Sequence, residues 1–294
     1  MNKTILRSLF LFILALPALT KAQTVPDKGL LYEVTGKGLK KPSYLFGTFH
    51  LLKSDYLSTM PKVAECFNKA KGLVVEVDLN PADIMSVRQA MLLSGKKISD
   101  FLTEEEEGIL DAKLINATGL GLQFYESLKP AAIIVSLAAA MPPDVKDRLA
   151  QYAGTMMDLY FMDLAREQNK TITGLETALE QANILFGDSL NIQVENLKKY
   201  IAKVDDADTV SNQMVDDYFA QDLTALYKLS TAHNEYAGDM KKLLDDRNDR
   251  WMKVLPALFK KQSQFVAVGA LHLAGTEGLV YQLRKAGYTV KAVM

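Results

Sequence analysis

Three histidines occur in the chain, and two of them stand in the same local context. His50 closes Gly47-Thr48-Phe49-His50 after an apolar run that starts at Tyr44. His272 closes Gly269-Ala270-Leu271-His272 after one that starts at Val266. A glycine just past a strand is expected to let the backbone turn, so that the next side chains face a cleft. Two imidazoles delivered in this way could hold a divalent cation, whereas a lone histidine is more simply a satisfied core residue. The repeated context favours one shared site for His50 and His272. His233, in the polar stretch Ser230 to Asn234, reads as structural or exposed.

Charges in apolar surroundings supply the next candidates. Glu76 sits within Val74-Val75-Glu76-Val77, where an unpaired carboxylate would cost roughly several kcal/mol of desolvation. It therefore needs either a bound cation or an ion pair with an arginine. Arg247, with Asn248 beside it, falls in a helical apolar stripe running from Met240 through Leu244 and Trp251 to Leu258. An arginine on an inward face could hold a buried carboxylate or stabilise an oxyanion. Arg250, four residues after Asp246, reads as a surface pair. Glu176 stands where a short strand ends and a helix opens, so it either complements the helix dipole or joins the same site. Asp158 and Asp163 read as solvated helix positions, with Asp158 a candidate to orient another residue.

The elements that must position these groups follow from apolar periodicity and from glycine and proline punctuation. A hairpin is expected from Leu30–Val34 and Ser43–Phe46 across Gly36-Lys37-Gly38, then a helix over Met60–Lys71 and a doubly buried strand over Leu73–Val77. Asn80-Pro81 should start a helix that Gly95 closes, and Thr103 with Glu106 forms a capping box for a helix reaching Ile115. Pro130–Met141 reads as a buried helix stopped by Pro142-Pro143. A long helical segment, Asp144–Asn169, is interruptible at Gly154 and leads into a strand over Thr171–Thr173. Helix dominates from Ala178 to Lys261, including a continuous helix over Met240–Phe259, before a strand-loop-helix-strand ending. The expected class is α/β: a central mixed β-sheet, strand-exit loops forming the site, and a large helical insertion over about residues 80–260, all within one domain, residues 23–294.

Composition bounds the function. The chain has 294 residues, 49% apolar and 23% charged, with a formal net charge of −1, which gives no electrostatic footprint for nucleic acid. Lys3 and Arg7 precede the apolar run Leu9–Leu16, and Thr20-Lys21-Ala22 makes a small-residue exit. Residues 1–22 thus read as a secretory signal, with a periplasmic or secreted product and no stable membrane span after cleavage. The single cysteine, Cys66, lies at helical spacing among apolar residues and reads as core. No Gly-x-Ser-x-Gly elbow, P-loop, dinucleotide fingerprint, His-Glu-x-x-His or Cys-x-x-Cys occurs. Any site must be assembled from distant segments.

Taken together, YLFGTFH at Tyr44–His50, VVEVD at Val74–Asp78, Gly154–Phe161 leading to GLET at Gly174–Thr177, Arg247-Asn248 before Trp251, and VGALHLAG at Val268–Gly275 resemble the TraB/GumN family, whose relatives include the Tiki proteases. The resemblance implies an erythromycin esterase/Tiki-like fold. It also implies a metal-dependent peptidase site of His50, His272, Glu76 and Arg247, with Glu176 the alternative family glutamate. Manganese or cobalt is the metal it favours, and two imidazoles with a carboxylate also suit zinc or iron. The expected partner is a peptide or protein substrate, and the expected chemistry is hydrolysis by metal-activated water with Arg247 at the developing negative charge. Two rivals stand beside this: a binding module that captures a peptide or envelope component without cleaving it, and a metal-independent esterase with a histidine base.

Overall fold

The computed structural model describes residues 28–78, 82–202, 207–233 and 239–293. The expected signal segment, residues 1–22, lies outside them, as does the Asn80-Pro81 helix start; the helix described there runs Asp83–Ala90. Six strands are present: β1 (Leu31–Thr35), β2 (Ser43–Thr48), β3 (Gly72–Val77), β4 (Thr171–Glu176), β5 (Gln264–Gly269) and β6 (Thr289–Ala292). They form one mixed sheet in the order β4-β3-β5-β2-β1-β6. The run β4-β3-β5-β2 is parallel, and β1 joins β2 and β6 antiparallel.

The hairpin of β1 and β2 forms as the sequence implies, with Leu31 opposite Phe46 and Val34 opposite Ser43. Every residue of β3 is buried, as its run of Leu73, Val74, Val75 and Val77 requires of a strand covered on both faces. Phe67 from the helix Pro61–Lys69 and Phe161 from the helix Met157–Glu167 meet Phe265 of β5 at ring-centroid distances of 5.4 and 5.1 Å. Burying aromatic side chains of this kind contributes about 1.5–3 kcal/mol each. Cys66 is buried in the same core cluster.

Several boundaries differ from expectation for identifiable reasons. The Asp144–Asn169 segment is two helices, Pro143–Leu149 and Met157–Glu167, parted where Gly154 takes φ 95°. Pro143 therefore opens a helix at its first turn as well as closing the previous one. The helix Pro130–Ala139 is not buried all round, since Val135 is 39% exposed. Strand β4 continues to Glu176 instead of stopping at Thr173, because Gly174 lets β3 approach: a Cβ there would lie 2.9 Å from the Asp78 nitrogen. No helix of the described residues is long and apolar enough to cross a membrane.

The parallel run β4-β3-β5-β2 points its carboxyl ends to one edge of the sheet. Glu176 ends β4, Glu76 is the penultimate residue of β3, Gly269 ends β5 and Thr48 ends β2. Thr48 and Gly269 are register partners, so the two glycine-histidine loops leave the sheet side by side.

Candidate active site

Neither glycine of the repeated motif has positive φ, so the exits from the strands do not need a left-handed glycine conformation; both glycines are needed for space. A Cβ on Gly47 would lie 2.9 Å from the Ala270 Cα, so the first motif must lack one for the second to pack against it. A Cβ on Gly269 would lie 3.3 Å from Glu76 Oε1, 3.4 Å from His50 Nε2 and 3.7 Å from His272 Cδ2. Three of the expected site residues thus converge on one point in front of the second glycine.

Behind that point lies a buried polar cluster. Arg247, Glu76, Glu176 and His272 are each at least nine-tenths buried. The Arg247 guanidinium spends all five N–H donors inside the protein. Nε donates to Glu176 at 3.0 Å, and Nη2 donates to Glu176 Oε1 and Glu76 Oε2 at 2.5 Å each. Nη1 donates to the Leu243 carbonyl and to His272 Nε2, both at 3.0 Å. Arg247 also lies over the Trp251 ring, 4.8 Å from its centroid. Two carboxylates on one guanidinium leave negative charge in excess. Gln181 Nε2 donates to both glutamates at 3.3 Å, and Arg250 reaches to 3.6 Å from Glu176 Oε2.

Glu176 is thus a pairing residue of this cluster, and the dipole role considered for it falls to Thr177 and Glu180, which form the capping box of the helix Ala178–Phe186. Arg250 does not pair with the Asp246 carboxylate; it donates to the Asp246 carbonyl, and the carboxylate is taken by Lys241.

The segment that carries Arg247 is not the continuous helix expected. A π-helical turn, Lys241–Asp245, precedes the α-helix Asp246–Met252, and a separate helix, Leu255–Lys261, follows with Pro256 in its first turn. The short helix Asp246–Met252 presents Arg247, Asn248 and Trp251, all buried, to the site.

Asn248 fixes the state of His272. Its Nδ2 donates to the carbonyls of His272 and Glu277 at 3.2 and 2.9 Å, so its Oδ1 must accept from His272 Nδ1, 2.8 Å away. The proton therefore sits on Nδ1, and the Nε2 lone pair faces Arg247. Burial holds the His272 pKa down at about 3, so the imidazole is neutral. Burial also works against the Glu76 charge, yet its pKa is lowered to about 2 by the cationic groups around it and by the Gly269 N–H, which donates to Oε1 at 2.7 Å. Because His272 is neutral above pH about 3, Arg247 is the buried cation that matters for Glu76 at neutral pH.

His50 lies on the open side, with 62% of its side chain exposed. Its Nδ1 is 2.7 Å from Asp158 Oδ2, and Thr48 donates to the other Asp158 oxygen at 2.8 Å. The hydrogen bond to Asp158 raises the His50 pKa to about 9, a pull that water screens in part at this exposure. Asp158, a candidate from the sequence to orient another residue, is therefore the residue that orients His50. Thr48, Gln181 and the imidazole-orienting role of Asn248 were missed; the local signal for the last was an asparagine beside the one inward-facing arginine.

The donor chemistry suits the divalent ion implied by the sequence. In its neutral form each histidine has Nδ1 tied to an acceptor, so a cation that displaces the His50 proton would meet the Nε2 lone pair, and Glu76 adds a carboxylate. The placement differs from a formed metal site. Arg247 occupies His272 Nε2 and Glu76 Oε2, and among the described residues no group of three His, Cys, Asp or Glu side chains is placed to hold an ion.

Comparison with curated proteins finds no match, and comparison with solved structures finds none. The link is at the level of the family: residues 30–292 match the TraB/PrgY/gumN family, to which the chain belongs.

Proposed function

We propose that this chain is an exported metal-dependent hydrolase, a peptidase of the Tiki type, with His50, His272 and Glu76 as the ligands of a divalent ion, manganese or cobalt by preference. The observation that carries this reading is the convergence of His50 Nε2, Glu76 Oε1 and the His272 ring on the point in front of Gly269. When bound, the ion would supply a water molecule acidic enough to be deprotonated near neutral pH. The chain's own groups do the positioning. Asp158 holds the His50 ring, Asn248 keeps His272 as the Nδ1-protonated tautomer, and Gly269 N–H anchors one oxygen of Glu76. Arg247, with no N–H left for a substrate, acts as a clamp that holds Glu76, Glu176 and His272 in place. Export rests on the signal pattern of residues 1–22 and is checked by the N-terminus of the mature protein.

Metal analysis of the purified protein beside a His50→Ala, His272→Ala double variant tests the assignment. The double variant should lose bound manganese or cobalt, together with chelator-sensitive cleavage of a peptide library. Equal metal in both proteins would remove it.

The hold of Arg247 on His272 Nε2 favours a second reading, a metal-free hydrolase built on the exposed Asp158–His50 pair. Hydrolysis that survives exhaustive chelation and is lost in Asp158→Asn would select it. Tight peptide capture with no turnover under either condition would select the binding module instead.

A further inference from the structure

His272 offers one lone pair, and two parts of the site need it. Its Nδ1–H donates to Asn248 Oδ1 at 2.8 Å, so Nε2 carries the only free lone pair of the ring. Arg247 Nη1 lies 3.0 Å from Nε2 and donates to it. A cation bound by His272 takes the same electrons, so the hydrogen bond and the coordinate bond exclude each other. Glu76 is under no such constraint. A carboxylate accepts at about four lone-pair sites, and Glu76 gives one oxygen to the Gly269 N–H and the other to Arg247 Nη2. It can keep the arginine and still serve an ion.

We infer that a divalent ion enters this site by exchange with one N–H of Arg247: the Nη1–His272 hydrogen bond opens, and the other contacts of the guanidinium stay in place. The inference rests on the hydrolytic reading above, in which His272 is a ligand, and adds the competition that governs ion binding. Three observations confine the exchange to that one bond. Nε and Nη2 both donate to Glu176, a pairing that does not involve His272. The second N–H of Nη1 donates to the Leu243 carbonyl in the π-helical turn at 3.0 Å. Asn248 holds His272 from its other side and is itself fixed to the carbonyls of His272 and Glu277, so the ring keeps its place when Arg247 lets go. The two glutamates thereby divide the work: Glu176 anchors the arginine, and Glu76 stands between arginine and ion. The exchange costs a buried hydrogen bond, so Arg247 weakens ion binding by the worth of that bond.

The test uses the full chain labelled with ¹⁵N at arginine and histidine and titrated with zinc, a diamagnetic ion, under NMR. Saturation should abolish cross-relaxation between an Arg247 Nη1 proton and the His272 ring and shift the His272 Nε2 resonance, while the Arg247 Nε–H resonance persists. Calorimetry with zinc and with manganese then compares the parent with Arg247→Lys, its fold checked by circular dichroism. A lysine keeps the charge but has no second nitrogen to span the glutamates and His272 together. It should bind either ion at least ~10-fold tighter than the parent, a gain that comes from the freed lone pair and not from lost repulsion. Bound zinc with the Nη1–His272 contact intact, or equal ion affinity in a folded Arg247→Lys variant, would overturn the exchange. The two ideas fail separately. Ion binding by Arg247→Lys with none by the parent upholds the competition and removes the metal-dependent hydrolase, and binding by the parent with the contact intact does the reverse. No binding by either protein removes both.

Discussion

The site has two halves that are built differently. Around Arg247 the groups are buried, each polar atom of the guanidinium is used, and every partner also holds another partner. Around His50 the ring stands in solvent and is held through one hydrogen bond to Asp158, itself steadied by Thr48. Low effective dielectric makes the first half strong when complete and costly when broken, whereas water weakens every interaction in the second. The buried half is thus a fixed frame, and the exposed half is the part open to solvent.

The largest effect should come from breaking the frame. Arg247→Met leaves Glu76 and Glu176 buried without their cation, and loss of one partner of a buried pair costs about 3–5 kcal/mol. Urea denaturation should show a correspondingly lower midpoint, and a midpoint within error of the parent would mean that the cluster is not a load on folding. Glycine substitutions come next and separate the halves by location. Gly47→Ala forces backbone apart at Ala270 and should destabilise by about 1–3 kcal/mol. Gly269→Ala pushes a methyl group among Glu76, His50 and His272, so on the proposed reading hydrolysis should fall further than stability does.

In the chelated protein, pH should act on the halves with opposite sign. The folded pKa of His272, about 3, lies below its ordinary 6.5, so the unfolded chain takes up the proton first and stability falls as pH drops from 6.5 toward 3. Glu76, held at about 2 instead of 4.5, adds to the same acid loss as pH falls through that lower range. The folded pKa of His50 is raised, so its contribution is full below 6.5 and is lost as pH rises through about 9; exposure keeps that contribution small. Thermal melts from pH 3 to 10 check both signs, and an acid limb that survives unchanged in His272→Asn would remove the assignment to His272. The smallest stability effect is expected from Asp158→Asn, about 0–1 kcal/mol. Its clearer signature is a His50 titration moved down toward 6.5, read by NMR.

The sequence made the unusual charges visible because each violated its surroundings: Glu76 in a β-branched run, Arg247 in an apolar stripe, and two histidines in matching contexts. It could not show how they were shared among partners. Asp158 and Gln181 sit on helices whose local pattern suits a solvated face, and only the crossing of those helices over the strand ends brings them to the site. Glu176 looked like a helix-dipole residue because Gly174 read as a strand stop, when the glycine permits the close approach of β3. What the pattern of the motif glycines did not show is that they also supply room for the two loops to pack. Of the expected class, the mixed sheet and its helices are present.

The π-helical turn Lys241–Asp245 has a consequence for the angular phase of everything after it. Such a turn accommodates one extra residue, and in a regular α-helix each residue advances the azimuth by roughly 100°. Deleting one residue from the turn should restore α periodicity and rotate Arg247, Asn248 and Trp251 together away from the sheet edge. The cluster would then be lost without a change to any side chain that composes it.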